Sequence, residues 1–129
     1  MSAEPLRPHT PPDREVERIA LAEAAAQAAR AIPGVVRLQP GLVGLLKQLA
    51  AQTWERATGR PVPDVAGVDV DLTEDRLKID LRLVVTATHP AATIGEDTHR
   101  AVTKAVEART DRTPTVRILI AEIELPGER

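Results

Sequence analysis

Between Arg76 and Val85 the chain reads RLKIDLRLVV, and no other stretch narrows its fold as far. Apolar side chains stand at Leu77, Ile79, Leu81, Leu83 and Val85, with Arg76, Lys78, Asp80 and Arg82 alternating between them. A period of two held this long describes a strand with one face on a core and the other in water. Just upstream, Val68, Val70 and Leu72 alternate with Asp69 and Asp71, and Thr73-Glu74-Asp75 supplies a turn. Residues 65–85 are therefore predicted to form an antiparallel hairpin.

What packs on that hairpin must be aliphatic. Trp54 is the only aromatic residue of the 129, so the core is built from Val, Leu, Ile and Ala, without the ring platforms that stack bases or sugars. Basic and acidic residues number 17 and 19 and are interspersed, so no field favours nucleic acid or an acidic membrane surface. There is no cysteine, which rules out disulfides, thiolate nucleophiles and Cys-ligated metals. The opening MSAEPLRPHTPPDRE lacks the apolar stretch of a signal peptide, and apolar runs elsewhere fall far short of the ~20 residues that span a bilayer. A cytoplasmic protein is expected, with any membrane association made through a partner.

Taken in order, residues 1–12 carry Pro5, Pro8, Pro11 and Pro12 and read as a disordered tail ahead of a single domain at 13–126. Asp13 can cap a helix running from Arg14 to Ile32, with Val16, Ile19, Ala20, Ala24, Ala28, Ala31 and Ile32 as its apolar face. Pro33-Gly34 ends it, and Val35–Leu38 is a short strand. A second amphipathic helix is expected over Leu42–Ala57, closed by Gly59 and the Pro61/Pro63 linker. After the hairpin, Pro90 or Thr93 opens a third helix with a stripe of Ile94, Thr98, Ala101, Val102, Ala105 and Val106. The last strand, Thr115–Leu125, has apolar residues at both parities, among them Leu119 and Ile123.

This order predicts an α+β fold: a two-layer sandwich of three helices on one face of a small, mostly antiparallel sheet. A crossover helix leaves the last strand parallel to strand 76–85, most simply with strand 65–72 between them.

Chemistry is sparse. His89, Glu96, Asp97 and His99 lie close in sequence, but on a helix only Glu96 and His99 share a face, and a metal site needs more ligands. Thr86, Thr88, Thr93 and Thr98 near His89 suggest a hydroxyl nucleophile, yet a base, an orienting group and oxyanion donors must converge with it. Asp69, Asp71 and Asp80 share the hairpin's wet side with Arg76, Lys78 and Arg82, which describes a mixed-charge solvated face. The glycines form neither GxGxxG nor a P-loop. No catalytic, cofactor-binding or metal-ligating residue is assigned. Trp54, on the stripe of the second helix, reads as core, the alternative being an anchor for a partner.

Ile32-Pro33-Gly34-Val35, the stretch VDVDLTEDRLKIDLRLVV and the stretch AVTKAVEARTDRTPTVRILIAEIEL together resemble the alkaline shock protein family of envelope stress proteins. Members share a first helix running into a PGV turn, a V-x-V…I-D-L-x-I-V-V hairpin, and a helix ending in V-E-x-x-T before an alternating strand. The likeness covers roughly residues 14–125. It departs at Thr86-Ala87-Thr88, where members often carry Tyr-Gly, and at Thr110-Asp111, where they carry Thr-Gly.

The resemblance implies a small, non-enzymatic cytosolic scaffold or adaptor of envelope homeostasis that forms homo-oligomers and uses no cofactor. In some members a small integral membrane partner holds the protein at the membrane. Another branch is connected with control of fatty-acid synthesis at the acetyl-CoA carboxylase step. The rival reading is a small ligand-binding or enzymatic α+β domain using the Thr86–His99 region. For the double-sided last strand three explanations compete: a bulge near Ala121, a cover by the Leu42–Ala57 helix, or a second chain. The second chain is favoured, with Trp54, Leu119 and Ile123 as candidate interaction residues.

Overall fold

A computed structural model describes residues 11–40 and 65–127. The elements are α1 (Pro11–Arg30), β1 (Val35–Leu38), β2 (Val68–Leu72), β3 (Leu77–Thr86), α2 (Ala91–Glu107) and β4 (Pro114–Glu124). The hairpin forms as its alternation requires. Leu72 faces Leu77 and Val68 faces Leu81, and the Thr73 N–H closes the turn on the Arg76 carbonyl at 2.9 Å.

β3 is the centre of the sheet. β4 runs parallel along one edge of it, from Leu77↔Pro114 to Thr86↔Glu124. The other edge is shared in series: β2 pairs antiparallel with Leu77–Leu81, and β1 antiparallel with Leu83–Val85. The expectation of strand 65–72 lying between β3 and the last strand is thus corrected. Ten-residue β3 is long enough to hold two short strands end to end, which leaves its whole second edge to β4. The sheet is mixed, with two antiparallel pairings and one parallel pairing, the longest.

The helix count is corrected as well. Three helices were expected, and the described residues hold two. The third, Leu42–Ala57, lies outside the described residues, as does Trp54. The inner row of β3, Leu77, Ile79, Leu81, Leu83 and Val85, is buried throughout. α1 packs on α2 and β2, and α2 on β4.

α2 buries Ile94, Thr98, Val102 and Val106, four of the six residues expected in its stripe, and starts directly after Pro90. Thr98 is the one buried polar residue of the described core, and its hydroxyl donates to the Ile94 carbonyl at 2.7 Å. In α1 the expected face is partly displaced. The helix begins at Pro11, so Asp13 lies inside its first turn and not ahead of it. Ile19 and Ala24 are buried and Ala28 and Ile32 pack half-buried against the core, as expected, but Val16, Ala20 and Ala31 are exposed. Leu21, Ala22, Ala25, Ala26 and Ala29 complete the buried side instead. Alanine on every side of LAEAAAQAAR leaves periodicity nothing to separate, and the sheet and α2 choose the face.

Glycine is required at the turn after α1. Gly34 has φ +98°, and a Cβ there would stand 2.6 Å from the Ile94 side chain. Its carbonyl accepts the Thr86 N–H at 2.9 Å, which ties the end of α1 to the end of β3.

Candidate functional site

The features that stand out from the covered core lie along β4. Facing pairs in a sheet share a face, so Val116, Ile118 and Ile120, opposite Ile79, Leu81 and Leu83, lie on the helix side. Thr115, Arg117 and Leu119, opposite Lys78, Asp80 and Arg82, lie on the opposite side. The register then slips: Leu83 faces Ile120 but Val84 faces Glu122, so Ala121 is an unpaired bulge residue. Beyond it the parity is reversed. Glu122 and Glu124 lie on the side away from the helices, and Ile123, opposite Val85, lies on the helix side. The bulge at Ala121 was one of the three explanations for the double-sided pattern, and it is present.

It does not bury the strand. Leu119 remains 49% exposed on one face and Ile123 48% exposed on the other. Among the described residues, no strand pairs with the far edge of β4. Between that edge and α2 runs an open groove of about 950 Å³, floored by Val116, Ile118 and Ile120 and walled by Glu96, His99 and Lys104.

The face of the sheet away from α1 and α2 carries ion pairs. Arg76 reaches Asp71 at 2.9 Å, Arg117 reaches Asp80 at 3.5 Å, and Arg37 donates to Glu124 at 2.6 Å. That hydrogen bond, with the nearby charge of Glu122, raises the Arg37 guanidinium above its ordinary pKa. Val84 lies on this face between Arg37 and Glu122 and is fully buried. The mixed-charge, solvated reading therefore describes Asp71 and Arg76, which are exposed, but is corrected at Asp80 and Arg82, whose Oδ1 and Nε are buried.

The residues weighed for metal or hydroxyl chemistry are dispersed. His89 precedes α2, and its Nδ1 lies 3.1 Å from the Thr88 hydroxyl, itself 3.2 Å from that of Thr86. Among the described residues His89 has no further hydrogen-bond partner, and this short relay is exposed. Asp97 is held by Arg100 at 3.2 Å, while Glu96 and His99 line the groove. Thr98 points into the core and cannot meet a substrate. Among the described residues no three His, Asp or Glu side chains converge on a point where an ion could sit.

Arg117 and Glu122 are the site residues that sequence reasoning passed over. Their relation to each other becomes visible only when Ala121 is set aside as a bulge.

No family model matches this chain, and no curated protein matches it. Among solved structures it is similar to the MamM CTD in several forms. A variant of that domain is 14% identical over 81% of this chain and 94% of that one, with a TM-score of 0.46. The copper form is 14% identical over 85% and 89%, with a TM-score of 0.47. A nickel form is 13% identical over 81% and 98%, with a TM-score of 0.46. At this identity and superposition the likeness implies no shared ligand or role.

Proposed function

We propose that this chain is a non-enzymatic scaffold or adaptor that acts through protein contacts, first of all with copies of itself. The observation that carries the reading is β4: an eleven-residue strand with a free edge among the described residues and exposed Leu119 and Ile123 on its two faces. Long, apolar strand edges associate, and a symmetric dimer is the commonest closed result. The setting in envelope homeostasis, with a small integral membrane protein as partner, comes from the likeness of the PGV turn and the hairpin to the alkaline shock protein family.

Leu119→Lys combined with Ile123→Lys is expected to give a folded protein of smaller mass in light scattering. Unfolding of the double variant would return both residues to the monomer's own core, and an unchanged mass would place the interface elsewhere.

Among the described residues no helix is long and apolar enough to cross a membrane. The purified chain alone is therefore expected to stay in the supernatant when liposomes are sedimented, and to pellet only with vesicles that carry its partner. Tight binding to bare lipid would overturn the partner-mediated version.

A further inference from the structure

The bulge at Ala121 makes the outer edge of β4 complementary to itself. With Ala121 set aside, the strand reads Thr115, Val116, Arg117, Ile118, Leu119, Ile120, Glu122, Ile123, Glu124. Folded about Leu119, this sequence matches in an antiparallel sense. Leu119 meets Leu119 of a second copy, Ile118 meets Ile120, Arg117 meets Glu122, Val116 meets Ile123, and Thr115 meets Glu124. Every one of these pairs joins residues on the same face of the sheet, as directly opposed residues must be. Apolar side chains meet apolar ones, and the one basic residue meets an acidic one. Without the bulge the same axis would set Val116 against Glu122 and Arg117 against Ala121. An axis one residue earlier, at Ile118, would place Arg117 opposite Leu119.

We infer that two copies of this chain join through β4, antiparallel about a twofold axis at Leu119, to form one continuous sheet. The inference rests on the self-association proposed above and names its surface and register. Edges of sheets are usually blunted by lysine, internal proline or a bulge. β4 has no lysine, and its only proline is its first residue, Pro114. Its bulge spoils the register for a regular foreign strand but restores face matching on both sides of the axis for its own copy. Pairing also joins the two helix-side rows, Val116, Ile118, Ile120 and Ile123, into one apolar strip running between the α2 helices of the two copies.

The test uses charge reversal and a cysteine. Arg117 and Glu122 lie on the same face of one strand but too far apart to touch within a chain, and each has its own neighbour there, Asp80 or Arg37. Arg117→Glu alone and Glu122→Arg alone should each weaken dimerisation about tenfold, since two symmetry-related pairs turn repulsive. The double variant should recover most of that loss. Repulsion from Asp80 and Arg37 persists in it, so only a contact between chains can account for recovery. The chain has no cysteine of its own. Leu119→Cys should therefore crosslink to itself under mild oxidation, because opposed residues in an antiparallel pair lie within disulfide range. Ile123→Cys, far from the axis, should not. Light scattering at graded concentration, with thermal melts to verify folding, gives the dissociation constants.

If the chain is dimeric but the double variant stays weak and Leu119→Cys fails to crosslink, this register is wrong and self-association stands. If the wild-type chain is monomeric at all concentrations, both fall.

Discussion

Leu81→Ala is expected to lower stability by about 3–5 kcal/mol, the upper part of the range for a buried leucine truncated to alanine. Leu81 is fully buried in the middle of β3, with Val68 facing it across β2 and Ile118 across β4. Backbone pairing on both sides stops the strand from moving in to fill the gap, and the inner row above and below it is equally buried. The loss should therefore include most of the cavity cost as well as the transfer free energy. In a domain of this size each kcal/mol is worth about 4 °C or more in the thermal midpoint, so the shift should exceed about 12 °C. Lys78→Ala, on the opposite face of the same strand, should change stability by less than about 0.5 kcal/mol. A small shift for Leu81→Ala would mean that the sheet relaxes far more than its pairing implies.

That contrast reflects how legible β3 is. Long aliphatic side chains alternate there with charged ones, so sequence alone separates the two faces. α2 is legible for a related reason: Ile94, Val102 and Val106 stand apart from Glu96, Arg100 and Lys104 at helical spacing. α1 shows the limit. Its alanines are small and apolar on every side, so spacing alone turns Val16 and Ala20 inward and leaves out Leu21 and Ala25, whereas the packed structure has them the other way round. Strand order is hidden as well, because the hairpin and crossover are compatible with β4 beside either β2 or β3. The exposed apolar residues of the last strand are visible in the sequence, as is the need for a bulge or a cover. The match of Arg117 to Glu122 is not, since it depends on which residue is left out of the ladder.

The strand order depends on Gly67, a position that no motif picks out, and Gly67→Ala is expected to cost about 2–5 kcal/mol, the sum of two contributions. Gly67 has φ +88°, where an L side chain is strained by about 1–2 kcal/mol. A Cβ there would also lie 2.7 Å from the Leu38 Cβ and 2.9 Å from the Gln39 nitrogen. Overpacking of this kind costs about 1–3 kcal/mol when the neighbours cannot yield. Here they are fixed from the same point on β3. The Gln39 N–H donates to the Arg82 carbonyl at 2.9 Å, and the Arg82 N–H donates to the Gly67 carbonyl at 3.1 Å. Arg82 is thus the joint at which the end of β1 meets the start of β2, and the missing side chain of Gly67 lets the two strands share one edge. Gly127→Ala separates the contributions, because Gly127 has φ +82° and an added methyl would find nothing within 4 Å. It should lose only the torsional part, about 1–2 kcal/mol or less beyond the end of β4. Equal melting shifts for the two variants would show that β1 and β2 can move apart along β3 without loss, and that the joint at Arg82 does not hold them.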